Sequence, residues 1–84
     1  MIGRRVNKLA HEMRDGEYGK CEDGNWYAIP PGTDLLAGLA GHQVTEHEDG
    51  SITVSPSIEV RGYAPEREIN YWHGYLERGV WSEV

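Results

Sequence analysis

The chain has no phenylalanine, a single cysteine and two methionines among 84 residues. One cysteine excludes an internal disulfide and any four-cysteine zinc site, so neither usual staple of a small domain is available. Without Phe, apolar burial falls to Trp, Tyr, Ile, Leu and Val, and the Trp and Tyr tips each need a polar partner. No apolar run is long enough to span a membrane, and the first residues lack the apolar core of a signal peptide. The expected compartment is the cytoplasm, including that of a bacterial host cell. A chain this short buries only about 60–65% of its unfolded surface, so a thin core and a homo-oligomer are expected.

Basic residues are scarce beyond position 20. Residues 1–20 hold Arg4, Arg5, Lys8, Arg14 and Lys20 against Glu12, Asp15 and Glu17, and the remaining 64 residues carry a net charge of -8 within a total of -6. Such a body repels phosphate backbones, which disfavours duplex nucleic acid as a partner. The acidic residues are scattered and interrupted by glycine, which fits a solvated surface better than a mimic of DNA.

Ile2, Val6, Leu9, Ala10 and Met13 recur at helical spacing, predicting an amphipathic helix over 2–14 that Gly16 terminates. A turn-rich stretch follows to Gly24. Asn25 to Ile29 then reads as a short strand closed by Pro30-Pro31-Gly32, and Leu35 to Ala40 as a short helix or helical turn. In the hairpin around Asp49-Gly50, a three-residue Glu48-Asp49-Gly50 loop pairs Val44 with Val54 and Thr45 with Thr53, keeping one face apolar, with Pro56 at a bulge or an edge. The same logic at the end of the chain places Glu77-Arg78-Gly79 in a loop that pairs Leu76 with Val80 and Tyr75 with Trp81. The expected fold is α+β: one domain over 1–84, with a helical arm (1–15) packed on a β-rich body (25–84). That body is a small antiparallel sheet of two hairpins plus a short strand.

Little points to catalysis or metal. His11, His42, His47 and His73 lack metal-ligand spacing, and Cys21 sits beside Glu22 and Asp23, which raise rather than lower a thiol pKa. No phosphate loop and no nucleophile elbow is present, so no catalytic residue, metal site or cofactor is assigned. The remaining candidates are aromatic. On the expected register Tyr71, His73, Tyr75 and Trp81 share one face of the last hairpin, with Trp26 as a further member. Flat side chains with polar tips stack on bases, sugars or proline at low entropic cost. Arg4 or Arg5, from the same or a neighbouring chain, can supply charge for a small anionic ligand. The competing reading packs this face beneath the N-terminal helix.

The strings His42-Gln43-Val44-Thr45-Glu46-His47-Glu48-Asp49-Gly50-Ser51-Ile52-Thr53-Val54-Ser55-Pro56-Ser57-Ile58 and Trp72-His73-Gly74-Tyr75-Leu76-Glu77-Arg78-Gly79-Val80-Trp81 resemble a family of small uncharacterised actinobacteriophage proteins, a domain of unknown function. The resemblance covers roughly residues 25–84, with Ser-Pro-Ser-Ile and Trp-His-Gly-Tyr-Leu as its marks. The cysteines of some bacterial relatives are missing here, so no zinc is carried over. The resemblance implies a small non-catalytic binding protein that acts on host metabolism or defence, its partner a host protein. The alternatives are a sponge for a nucleotide-like signalling ligand and a minor virion structural protein.

Overall fold

The computed structural model describes residues 1–62 and 71–84. Eight strands form two four-stranded sheets. The first contains β1 (Arg4–Arg5), β2 (Glu17–Lys20), β3 (Trp26–Ala28) and β4 (Ala37–Gly38), in that order. The second contains β5 (Gln43–Glu46), β6 (Ile52–Arg61), β7 (Tyr71–Glu77) and β8 (Val80–Glu83). All neighbours are antiparallel except β1 and β2. Residues 61–68, whose sequence reads as a polar connection between the hairpins, lie mostly outside the described residues.

The expected N-terminal helix is absent, and the α+β class is corrected to nearly all-β, with one 3-10 turn at Ala10–Glu12 among the described residues. Residues 1–6 run extended because both sheets claim their backbone. Met1 O accepts from Trp81 N at 2.7 Å and Gly3 N donates to Gly79 O at 2.7 Å, while Arg4 N donates to Gly16 O at 3.0 Å and Val6 N to Tyr18 O at 2.9 Å. A helix would turn those groups inward on itself. The apolar spacing also matches no buried stripe: Met13 is buried, but Ile2 and Leu9 are exposed.

Residues 35–40 are no helical turn: Leu35, Ala37 and Leu39 alternate inward around β4, and exposed Leu36 points away. Within the stretch read as turns, Glu17–Lys20 forms β2.

The β5–β6 hairpin has the expected register, Val44 opposite Val54 and Thr45 opposite Thr53. Gly50 takes φ 88°, the left-handed position of its three-residue loop. Pro56 sits where the β6–β7 register shifts between Val54 and Ile58, after a cis peptide bond with Ser55. The last hairpin is one residue tighter than expected. Glu77 pairs with Val80 and Leu76 with Trp81, so Arg78 and Gly79 alone make the turn, with φ of 46° and 75°. Both left-handed values match the primed turn that suits a twisted hairpin, and Arg78 adopts one although it is not glycine.

The sheets share one core: Tyr18, Ala28, Leu35, Ala37 and Leu39 from the first half meet Ile52, Val54, Ile58, Trp72, Leu76 and Trp81 from the second. Trp72 and Trp81 pack edge to face, centroids 5.4 Å apart. Each fully buried aliphatic here contributes roughly 1.5–3 kcal/mol.

Among the described residues Glu17 is the buried charge, 2% exposed. Its carboxylate accepts from Arg4 at 2.6 Å, from Lys8 at 3.1 Å and from the Arg14 N–H at 2.8 Å. The Arg4 guanidinium first, then the Arg14 N–H and Lys8, hold its pKa down at about 2 against the desolvation that would raise it. This cluster ties the N-terminal segment to β2.

Candidate contact face of the second sheet

Alternation along β7 sends Trp72, Gly74 and Leu76 into the core and Tyr71, His73 and Tyr75 outward. Outward side chains two residues apart stand roughly 7 Å from one another, a spacing open to flat ligands or to a partner's side chains. No N-terminal helix covers them.

Neighbouring strands complete this face. Val80 pairs with Glu77 and Ser82 with Tyr75, which puts both on the outer side of β8, and Val84 follows by alternation. Ile2 bridges to Val80 and so stands beside it. Of the eight large apolar or aromatic side chains exposed among the described residues, Ile2, Tyr71, Tyr75, Val80 and Val84 lie on this one face. Ile2 is 82% exposed and Tyr75 44%. Exposed apolar groups scattered singly need no explanation, whereas a shared face marks an interaction surface.

Polar side chains of β6 orient the aromatic row. The Tyr71 hydroxyl donates to Glu59 at 2.9 Å, and the Arg61 guanidinium lies 4.5 Å from the Tyr71 ring centre. The hydrogen bond to Glu59 pushes the Tyr71 pKa up, so the phenol stays neutral and keeps its proton to donate. Ser57 Oγ and His73 Nε2 lie 2.9 Å apart, and the Ser57 carbonyl accepts from His42 Nε2 at 3.2 Å. A carbonyl only accepts, so His42 carries its proton on Nε2, and its buried Nδ1 has no partner among the described residues.

Trp81 does not belong to this face. The tighter turn rotates it onto the Leu76 side, where it is 2% exposed and its indole N–H donates to Gly16 O at 3.1 Å. Trp26 is half-buried in β3 of the first sheet, with the Arg5 guanidinium 5.1 Å from its ring. Arg5 also pairs with Glu46 and donates to Gly50 O at 3.0 Å, and Arg4 pairs with Glu17. Both arginines are thus committed to carboxylates on other strands and are not brought to the tyrosine row as anion-binding groups.

Sequence reading missed Ser57, Glu59 and Arg61, although their spacing of two along one strand was the available signal. Val80 and Val84, which a three-residue loop would set on the core side with Leu76, are instead exposed on this face through the β8 register, and Ile2, missed as a member, joins it through its bridge to Val80. The Cys21 thiol is pushed up by burial, then by Asp23 and Glu22, which disfavours the reactive thiolate. Among the described residues no group of three or more His, Cys, Asp or Glu side chains is placed to hold a metal ion.

Comparison with protein-family models, curated proteins and solved structures found no match.

Proposed function

We propose that this chain is a small non-catalytic, phage-encoded binding protein that acts on host metabolism or defence. Its contact surface is the outer face of the second sheet, and it works as a homo-oligomer. The observation that carries this reading is the concentration of the exposed side chains Ile2, Tyr71, Tyr75, Val80 and Val84 on one sheet face. Trp81, by contrast, is withdrawn into the core. Burying an apolar sheet face against a second copy supplements a core that is thin at this length. The phage origin and host-directed role rest on the resemblance of residues 42–58 and 72–81. A cytoplasmic location goes with that role; among the described residues no helix is long and apolar enough to cross a membrane.

Nucleotide sequestration has less support, because Arg4 and Arg5 are paired with Glu17 and Glu46. No observation favours a virion role over binding in the cell.

The test is sedimentation of the wild type and of a Tyr75→Lys, Val80→Lys double variant across a concentration series, with capture from host lysate in parallel. The reading expects a concentration-dependent mass above the monomer and a captured host protein, both lost in the double variant. A wild type that stays monomeric and captures the same proteins as the variant overturns it.

A further inference from the structure

A cleft of about 410 Å³ opens on the first half of the chain, away from the tyrosine row, between the 3-10 turn and the loop that follows Pro31. Its size falls within the roughly 300–1,000 Å³ of small-molecule sites. Met13 and Ile29, each 6% exposed, form an apolar floor. Two backbone bonds hold that floor in place, Gly16 N to Ile29 O at 2.7 Å and Ile29 N to Glu17 O at 2.9 Å. Leu36 supplies a wall: Leu35 and Leu39 are buried in the core, while Leu36 is left exposed at the cleft.

The rim carries both signs of charge. His11 and Arg14 stand there with two acidic residues, Asp15, the very next residue, and Asp34. Arg14 gives Glu17 its backbone N–H, at 2.8 Å, and is itself a lining residue of the cleft. The Asp15 carboxylate is oriented by the Gly32 N–H at 3.0 Å. A simple anion meets Asp15 and Asp34 with repulsion, and a simple cation meets Arg14. A molecule with an ammonium and a carboxylate on one carbon, plus an apolar body, satisfies rim and floor together.

We propose that this cleft binds a free α-amino acid with a large apolar or aromatic side chain. The carboxylate lies toward Arg14 and His11, the ammonium toward Asp15, and the side chain on Met13, Ile29 and Leu36. The site is independent of the sheet face, so either assignment can fail without the other.

The probe is L-phenylalanine, titrated into labelled protein and followed by amide chemical shifts. Controls are 3-phenylpropionate, which lacks the ammonium, 2-phenylethylamine, which lacks the carboxylate, and glycine, which lacks the side chain. The expected result is a saturable shift at Met13, Asp15, Ile29 and Leu36, with a Kd on the order of 1 mM or tighter. Each control should bind about tenfold more weakly or worse. Arg14→Gln and Asp15→Asn should each weaken binding about tenfold, the asparagine keeping an acceptor for the Gly32 N–H. Tyr75→Lys should bind like the wild type. The proposal is overturned by an absence of saturable shifts, by controls that bind as well as phenylalanine, or by unchanged affinity in both charge variants while their spectra stay folded.

Discussion

The indole nitrogen of Trp81 donates to the carbonyl of Gly16 at 3.1 Å, joining the last strand to a turn 65 positions earlier. Gly3 lies against that indole so closely that a Cβ would sit 2.7 Å from Nε1 and 3.0 Å from the Gly16 oxygen. The N-terminal segment therefore closes the core over Trp81.

Gly3→Ala should destabilise the fold by about 2–3 kcal/mol, because the added methyl must displace the ring or the carbonyl. Trp81→Phe keeps most of the packing and removes the donor; Gly16 O retains its bond from Arg4 N at 3.0 Å, so the cost should be smaller, about 1 kcal/mol. Urea unfolding of both variants tests the order, and an equal or reversed cost contradicts the close approach.

Gly74→Ala should be more severe than Gly3→Ala, with a loss above about 3 kcal/mol or no folded protein. A Cβ there would stand 2.4 Å from Ser82 O and 2.4 Å from the Trp72 ring, on a backbone and a buried side chain that cannot yield cheaply. Circular dichroism and thermal unfolding decide this.

Glu17 makes stability depend on acid. Its folded pKa, about 2, lies below the ordinary glutamate value of 4.5, so the unfolded chain binds the proton more readily. The contribution is full above about pH 4.5 and is lost as pH falls toward 2. Glu17→Gln should cost about 1–3 kcal/mol at neutral pH, since Arg4 and Lys8 lose their charge partner but remain partly hydrated. The variant should also show a flatter stability profile between those pH values. A profile as steep as the wild type's would assign the acid sensitivity to other carboxylates.

Arg78→Asn should stabilise the protein by about 0.5–1 kcal/mol. The residue holds φ 46°, a left-handed value that asparagine tolerates better than arginine. Its backbone N–H bond to Thr53 Oγ1, 3.0 Å, is kept by the substitution. Loss of stability in denaturant would mean that the arginine side chain contributes more than its backbone costs.

On the outer face, Tyr75→Ser should leave stability within about 0.5 kcal/mol of the wild type, because its ring is half exposed and fills no core space. Self-association should weaken, as read by sedimentation.

The two hairpins show which part of the fold was legible. Asp49-Gly50 announces its turn, and matching Val44 to Val54 requires only that one face stay apolar, so that register follows from local chemistry. In the last hairpin the apolar pattern tolerates either register. Pairing Leu76 with Val80 and pairing it with Trp81 both put an apolar residue inward. The choice falls to the Gly16 carbonyl, which gives the buried indole an acceptor, and to the core space beside Trp72, where the ring packs edge to face. Arg78 accepts an unfavourable φ in consequence, and nothing adjacent to it in the chain signals that.

The same distinction holds for the candidate contact face. Tyr71, His73 and Tyr75 share a side because a strand alternates every two residues, a property of the local chain. Trp81 was separated from them, and Ile2, Val80 and Val84 were added, by pairings between distant segments. By itself the sequence determined the β-rich body, the Val44–Val54 register, an irregularity at Pro56 and the shared side of Tyr71, His73 and Tyr75, all set by turn chemistry and alternation. Tertiary structure alone decided that residues 2–14 do not form a helix and which side Trp81 takes. Both outcomes depend on hydrogen-bond partners far away in the chain, which local spacing cannot register.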